Sequence, residues 1–424
     1  MLIGFQVENF RSFKSEQTFS MVAGHFSEHV DTNTFDPPIA GFGKLLRTAA
    51  VYGPNAGGKT NLLLALKFIK DFVVNSASAT AAVYPYSPFK LTATARRKPS
   101  KFQITFVQDR ARYDYGFWMG SERIEKEWLV EYAHSGSRTR GRTLFERDWN
   151  AKGSGYTWKF SSFLKGQRSV WSEATRPDAL FLSTAIQLNS TQLRPVFDWF
   201  QQRLIIIVGD VKLNESLTIN LLEEPHGKER LLPFLREADL GIADLQMKKE
   251  PIPPTGGVLV SQSRPVMVHS PGGASANLIT VTLSHQGDGD KPVGFDFSEE
   301  STGTQILFKT AGAWLNVLKN GEVLVFDEID TNMHPALLRY LLSQFQSKKT
   351  NPNNAQLICS THNTSILDRA LFRRDQVWFT EKDQSGASHL YPLSDFSPRT
   401  DESFEKAYMR GRYGAQPVFS TRSE

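Results

Sequence analysis

Residues 51–60, which read VYGPNAGGKT, constrain the fold more than any other stretch of the sequence. They match the pattern G-x-x-x-x-G-K-[ST], in which glycines leave backbone N–H groups open to a phosphate at the N-terminus of a helix. The flanks agree, because residues 49–52 are apolar and typical of a buried strand, and residues 61–68 are typical of an apolar helix. This strand–loop–helix unit predicts that the chain binds a nucleoside triphosphate.

The side chains of this loop predict how the triphosphate is held. Lys59 would reach the β- and γ-phosphates, and the Thr60 hydroxyl would take one coordination position of Mg²⁺. A glycine-rich turn that contains Lys-Thr by chance is the alternative, and the strand before it and the helix after it argue against this reading. The nucleotide-binding residues predicted from the loop are Asn55, Gly57, Gly58, Lys59, Thr60 and Asn61.

Length and composition fit a large α/β domain with insertions. The chain has 424 residues, of which 40% are hydrophobic and 12% aromatic, enough for a packed core, so wholesale disorder is excluded. We find no long uncharged apolar run and no signal peptide, and the single cysteine, Cys359, cannot form an internal disulfide. We therefore expect a cytoplasmic protein. Its net charge of +5 permits a nucleic-acid partner without requiring one.

Alternating apolar and polar residues predict an antiparallel meander after the phosphate loop, within a β subdomain at residues 77–178. The strands predicted by this alternation are residues 102–107, 113–118 and 124–130. Residues 135–142, SGSRTRGR, predict a flexible basic loop tip that is either solvated or in contact with phosphate. Residues 179–183, ALFLS, predict a further buried strand.

The last third of the chain alternates between helix and strand. Residues 322–326, EVLVF, predict a buried strand, and residues 356–360, QLICS, predict the next one, with helices expected at residues 301–318 and 337–345. This order favours a parallel sheet with functional side chains at the carboxyl ends of its strands. The less regular residues 204–300 predict an inserted lobe.

Two carboxylates follow the first of these strands directly. Asp327 can hold Mg²⁺, and Glu328 can orient and deprotonate an attacking water. His362 follows the next strand, where it could contact the γ-phosphate or be an ordinary satisfied histidine. Ser301 and Gly303 open a helix and offer a hydroxyl and free N–H groups to an anion, although alone they also describe an ordinary N-cap.

Together these motifs resemble the ABC-type ATPases of the SMC, RecF and OLD lineage. The segments that carry the resemblance are the phosphate loop, ENFRS at residues 8–12, STG at 301–303, DEID at 327–330 and TH at 361–362. The resemblance implies an α/β fold, a P-loop NTPase of the ABC-ATPase head type, with a mixed sheet, an antiparallel β lobe and an inserted lobe in one domain over residues 1–424. It also implies that ATP and Mg²⁺ are the cofactors.

The resemblance implies roles for residues around the nucleotide of the same chain. Arg11 and Ser12 would approach the nucleotide, and Gln187 would complete the metal shell with Thr60 and Asp327. Glu328 would be the catalytic base.

Other implied roles concern the γ-phosphate and a second subunit. His362 would sense the γ-phosphate, Asp330 would be the D-loop residue, and Ser301 and Gly303 would form a signature that completes the nucleotide site of another copy. The working unit would therefore be a head-to-head dimer or a larger homo-oligomer.

A closer resemblance is to the bacterial abortive-infection and RloA-like ATPases of phage defence. It rests on residues 45–56, 327–335 and 411–417, the last of which read GRYGAQP. It implies an ATP-dependent sensor or gate that controls a separately encoded effector, a TOPRIM-type or other nuclease. The chain departs from the usual signature at residues 300–304, ESTGT, where related proteins have Leu-Ser-Gly-Gly-Gln, and it has a compact lobe where SMC proteins carry a coiled coil.

Two other functions stay open on this sequence. One is a RecF-like DNA-repair ATPase whose closure on ATP grips duplex DNA. The other is a scaffold that binds ATP, hydrolyses it slowly and holds a toxin, although the intact pair Asp327 and Glu328 disfavours an inactive site.

Overall fold

The computed structural model describes residues 1–39, 41–78, 85–135, 138–208, 215–238, 241–251, 266–268, 277–288, 291–399 and 401–417. The chain divides into two compact units. The first comprises Met1–Gly209, Gly321–Ile329 and Leu342–Glu424, and the second comprises Asp210–Asn320 and Asp330–Leu341.

Nineteen strands occur in the described residues and are numbered in chain order. They are β1 (Leu2–Glu8), β2 (Gln17–Ser20), β3 (Thr34–Phe35), β4 (Leu45–Leu46), β5 (Thr48–Tyr52), β6 (Ser100–Gln108), β7 (Ala111–Met119), β8 (Ile124–Ser135), β9 (Arg138–Asn150), β10 (Gly155–Phe160), β11 (Leu204–Ile207), β12 (Ile242–Pro251), β13 (Val266–Val268), β14 (Asn277–Gln286), β15 (Pro292–Asp296), β16 (Val323–Phe326), β17 (Gln356–Ser360), β18 (Val377–Lys382) and β19 (Ser388–Pro392).

The α-helices of the described residues are numbered in the same way. They are α1 (Val30–Asn33), α2 (Lys59–Asn75), α3 (Arg168–Ala174), α4 (Phe181–Gln187), α5 (Arg194–Asp198), α6 (Ser216–Glu223), α7 (Gly227–Glu237), α8 (Thr302–Asn320), α9 (Pro335–Gln346) and α10 (Phe404–Met409). None of the helices in the described part of the chain has both the length and the hydropathy needed to cross a bilayer.

A six-stranded sheet forms the centre of the first unit, in the order β11-β16-β17-β5-β18-β19. All neighbouring strands in it are parallel except the pair β18 and β19. Strands β5, β16 and β17 are buried along their whole length, as expected for parallel strands covered on both faces. In β17, Cys359 is fully buried and precedes Ser360. The order of the strands puts the carboxyl end of β17 between those of β5 and β16.

A seven-stranded antiparallel sheet lies in the same unit, in the order β10-β9-β8-β7-β6-β1-β2. Its inner face packs on the phosphate-loop helix α2, because the Phe68 ring stacks on that of Phe102 and the Phe72 ring contacts that of Phe117. This mixed α/β architecture with its antiparallel lobe confirms the predicted fold class.

The strand predicted at residues 179–183 is wrong, because Phe181–Gln187 is the helix α4. A short run of mostly apolar residues does not distinguish a buried strand from a buried helix by its periodicity. The helix is set by a tertiary contact that the sequence does not show. The buried carboxylate of Glu127, on β8, accepts hydrogen bonds from the first N–H groups of α4, at Phe181 (2.7 Å) and Leu182 (3.1 Å).

The flexible loop predicted at residues 135–142 is also wrong in its extent. Strand β9 begins at Arg138 and pairs with β8 in the register Ser135↔Arg138. Gly141 belongs to this strand and lies under the ring of Tyr132, where a Cβ atom would come within 2.6 Å of the ring. The glycine that suggested a loop therefore makes room for a cross-strand aromatic side chain. The side chains at residues 133–140 lie outside the described residues.

The second unit contains α6, α7, α8 and a small antiparallel sheet of β12, β14, β13 and β15. Its helices pack closely, because a Cβ on Gly312 of α8 would lie 2.4 Å from the backbone of α6. The buried hydroxyl of Thr218 donates to the carbonyl of Phe308 (2.7 Å) across the same contact. This unit begins later than the inserted lobe proposed at residues 204–300, since Leu204–Ile207 is a strand of the parallel sheet.

Candidate functional site

The phosphate loop connects β5 to α2 and is tightly packed at three glycines. Gly53 has φ of 150°, and a Cβ there would lie 2.2 Å from the carbonyl oxygen of Thr380. A Cβ on Gly57 would lie 3.0 Å from the same oxygen. Gly58 has φ of 124°, and its Cβ would come within 2.6 Å of the Ser388 hydroxyl. Strands β18 and β19 thus support a loop whose backbone has no side chains in the way of a ligand.

Lys59 is almost fully buried at the first position of α2. Its Nζ donates to the carbonyl oxygens of Gly53 (2.9 Å) and Pro54 (3.2 Å), so that the ammonium group lies against its own loop. The first turn of α2 contains no acidic residue. A buried ammonium group, a helix N-terminus and a glycine backbone are together the chemistry that binds phosphate. The residues of the loop therefore fit a triphosphate.

Ser12 and Asn61 meet beside the loop. The Asn61 side-chain amide donates to the Ser12 hydroxyl (2.8 Å), and Ser388 N donates to the Ser12 carbonyl (2.8 Å). The buried Ser388 hydroxyl, which packs on Gly58, has no hydrogen-bond partner among the described residues. Arg11 precedes Ser12, is exposed and has a positive φ of 51°. Local sequence patterns gave no sign of Ser388, because it reaches the loop from a strand more than 300 residues away.

Ser360 organises the turn that carries the two carboxylates. Its hydroxyl donates to Asp327 Oδ1 and accepts from Glu328 N (2.8 Å), and its carbonyl accepts from Ile329 N (3.1 Å). Glu328 has a positive φ of 50°, a conformation that is strained for a residue with a side chain. One buried serine thus fixes a strained turn, and sequence analysis assigned it no role.

His362 follows the carboxyl end of β17, next to the end of β16 that carries the two carboxylates. Thr361 N donates to the carbonyl of Val51 (3.1 Å), which ties the end of β17 to β5. The exposed His362 and the tip of the phosphate loop line a cavity of about 650 Å³. The cavity is also lined by Glu381 and by Tyr408 of α10, neither of which sequence analysis predicted. Asn55, at the exposed apex of the loop, lines the same cavity.

Gln187 is the predicted metal ligand that the structure does not connect to the others. It is the last residue of α4 and is exposed. In the described residues no hydrogen bond joins it to Thr60 or Asp327. Helix α4 packs on the far end of α2, where the Ser183 hydroxyl donates to Val73 O (2.6 Å), roughly 20 Å along the helix from Thr60.

The predicted signature and D-loop residues lie together in the second unit. The Ser301 hydroxyl accepts from Thr304 N (3.1 Å) and so caps α8. A Cβ on Gly303 would lie 3.1 Å from the carbonyl oxygen of Asn332, which has a positive φ of 56°. The turn continues with a hydrogen bond from Met333 N to Asp330 O (3.1 Å). The glycine therefore permits close packing of the helix start on the D-loop turn.

The described residues contain no group of three or more His, Cys, Asp or Glu side chains that could hold a metal ion. Mg²⁺ does not need such a group, since it is usually held by one or two protein oxygens together with phosphate and water. The Thr60 hydroxyl and the partly buried Asp327 carboxylate are of the right chemistry for that arrangement.

Comparison with known proteins shows a family for the chain and a likeness to solved structures. Residues 49–368 match the family described as "AAA domain, putative AbiEii toxin, Type IV TA system". No curated protein sequence matches the chain. The crystal structure of the SMC head bound to the C-terminal winged-helix domain of ScpA is similar, with 12% identity, a TM-score of 0.43 and coverage of 96% of this chain and 99% of that one. Because the family match extends from β5 through His362, over three quarters of the sequence, the chain belongs to this AAA-domain family.

Proposed function

We propose that the protein is a cytoplasmic, Mg²⁺-dependent ATPase that works as a dimer or larger oligomer. The observation that carries the proposal is the meeting of three motifs at the adjacent carboxyl ends of β5, β17 and β16. These ends hold the phosphate loop, His362, and the pair Asp327 and Glu328. Three motifs far apart in sequence are thereby brought to one edge of one sheet.

Each residue has a separate task in this proposal. Lys59 and the loop N–H groups bind the phosphates. Thr60 and Asp327 would hold Mg²⁺, which would neutralise charge on the phosphates. Glu328 orients the attacking water and takes its proton. His362 contacts the γ-phosphate. Gln187 would join the metal shell only after a movement of α4.

Pairs of subunits would complete each site. Ser301 and Gly303 of one copy, with Asp330 beside them, would act on the nucleotide held by Lys59 of another copy. The start of α8, which carries Ser301 and Gly303, packs on the D-loop turn that follows Asp330. This packing supports the proposal, because the two motifs can then contact the nucleotide as one surface. Hydrolysis would then depend on assembly.

We further propose that ATP binding and hydrolysis gate an antiphage response of the abortive-infection, RloA-like type. The chain would restrain or release a separately encoded effector, a nuclease of TOPRIM or another type. The family description supports this setting, because it refers to AbiEii and to type IV toxin–antitoxin systems.

Two substitutions test the ATPase. Lys59→Ala should weaken ATP binding, because it removes the charge that the phosphates meet. Glu328→Gln should preserve ATP binding and stall hydrolysis in the presence of Mg²⁺, because it removes only the base. Lys67→Ala, at a partly buried position of α2, and Glu16→Gln, at an exposed position, are matched controls for the loss of one charge. Wild-type turnover in Glu328→Gln would show that the base is assigned wrongly.

A second experiment separates defence from DNA repair. The Glu328→Gln variant should accumulate the ATP-bound state and co-purify with the product of a neighbouring gene that is toxic when expressed alone. If this variant instead retains duplex DNA in a salt-resistant, ATP-dependent complex and no toxic neighbour exists, the RecF-like clamp is the better description.

A further inference from the structure

Six exposed cations lie on two adjoining segments next to the phosphate loop. They are Arg11, Lys14, Lys90, Arg96, Arg97 and Lys98, and we refer to them as the cationic platform. The two segments are bonded together, because Arg11 N donates to the carbonyl of Ser87 (2.8 Å). All six residues belong to the first unit.

Buried contacts hold the platform in one shape. The side chain of Asn9, 2% exposed, donates to the carbonyls of Ala95 (2.9 Å) and Lys98 (2.7 Å) and accepts from Phe89 N (3.1 Å). The Tyr86 hydroxyl donates to the same Lys98 carbonyl. Phe89 and Ala95 form a small buried cluster with Ala387. The cations therefore project from a fixed backbone and not from a loose loop.

The platform cations are not neutralised within the protein. In the described part of the chain none of the six takes part in an ion pair, whereas the neighbouring Lys101 is paired with Glu8 (2.9 Å). Elsewhere in the first unit, surface cations such as Lys44, Arg123 and Lys159 each have a carboxylate partner. Like charges held together without counter-charges repel one another, so a cluster of this kind is suited to an anionic partner.

Arg142, at the end of the basic segment at residues 135–142, is less suited to that task. Arg142 is paired with Glu131 (2.6 Å), and its guanidinium group lies over the ring of Phe163 at 4.8 Å. This cation already has two partners within the chain.

We propose that the cationic platform binds the phosphate backbone of a nucleic acid. Several positive charges on two adjoining segments suit the repeating negative charge of a backbone, and contacts to phosphate carry no sequence information directly. The binding is therefore of low sequence specificity and strongly dependent on salt. This proposal does not depend on ATP hydrolysis.

The platform is also joined to the nucleotide site. Arg11 and Lys14 flank Ser12, whose hydroxyl accepts from Asn61 on the first turn of α2. Nucleic acid on the platform and nucleotide in the phosphate loop would thus contact the same turn of chain from two sides.

The test compares two triple variants that lose the same charge. Arg96→Ala/Arg97→Ala/Lys98→Ala removes platform cations that have no assigned role at the nucleotide, and Lys44→Ala/Arg123→Ala/Lys159→Ala removes three ion-paired cations. Binding of a fluorescent, random-sequence DNA duplex is measured by anisotropy between about 50 and 200 mM salt, since the slope of log K against log salt counts phosphate contacts. An RNA duplex and inorganic polyphosphate serve as further probes.

The platform variant should lose between two and three units of slope, at roughly 0.9 units per contact, and bind at least about tenfold more weakly at low salt. The control variant should keep the wild-type slope. Thermal unfolding and ATP binding check that both variants fold, and Lys90→Glu provides a single-site change with the same expected direction. An unchanged slope in the platform variant, equal losses in both variants, or loss of a protein partner with unchanged DNA binding would each overturn the proposal.

Discussion

Replacing Ser360 by alanine gives the sharpest test of how the catalytic turn is held. The residue is fully buried, and its hydroxyl bonds both to the Asp327 carboxylate and to Glu328 N. A hydrogen bond to a charged group contributes about 1.5–3 kcal/mol, and the positive φ of Glu328 costs roughly 1–3 kcal/mol to maintain. Without the hydroxyl, the strained turn loses the contact that fixes it and should relax.

We expect Ser360→Ala to lower the free energy of unfolding by about 2 kcal/mol and kcat for ATP hydrolysis by roughly 10- to 100-fold. The affinity for ATP should change little, because no hydrogen bond joins Ser360 to the phosphate loop within the described residues. Denaturant titration, steady-state turnover and equilibrium binding of ATP measure the three quantities.

Cys359→Ala is the matched control, because it removes a similar volume from the neighbouring, equally buried position of β17. It should destabilise the protein while leaving kcat close to that of the wild type. The reasoning fails if Ser360→Ala hydrolyses ATP at the wild-type rate, or if both substitutions reduce kcat equally.

Two further predictions concern assembly and the β lobe. Mixing Ser301→Arg chains with Lys59→Ala chains should restore part of the ATPase activity that each variant lacks alone, and no recovery at any ratio would favour a site completed within one chain. Burial raises the pKa of Glu127 above its ordinary value of 4.5. The protonated side chain therefore contributes to the free energy of unfolding below pH 4.5. This contribution is lost as the pH rises through the folded-state pKa. Glu127→Gln should therefore flatten this fall in the free energy of unfolding above pH 4.5, and a profile identical to that of the wild type would contradict the assignment.

Elements with a clear local pattern could be predicted from the sequence. The strands of the meander and the apolar strands on either side of the carboxylate pair follow from alternation and from buried runs. The structure of residues 179–183 could not be predicted in this way, because their helical state depends on the Glu127 carboxylate of β8, which accepts a hydrogen bond from the first turn of α4. The start of β9 was missed for a related reason, because Gly141 makes room for the ring of Tyr132 on the neighbouring strand and does not form a turn.

In the candidate site, too, residues in local motifs could be predicted and residues brought in by strand pairing could not. Lys59, Thr60, Asp327 and Glu328 belong to short contiguous motifs, so their positions could be proposed from the sequence alone. Ser388 could not, because it reaches the phosphate loop only through the pairing of β18 with β5 and β19. The role of Ser360 likewise depends on the pairing of β16 with β17.

The burial of Cys359 makes this chain convenient for labelling chemistry. It is the sole cysteine of the sequence, and its thiol is shielded in the middle of the parallel sheet. A thiol reagent can modify it only when β17 opens, so its rate of modification reports how often that core strand is exposed. A cysteine introduced on the surface, for example at Lys98, would react long before this opening. Fluorophores and cross-linkers can therefore be attached at chosen surface positions without first removing the native thiol.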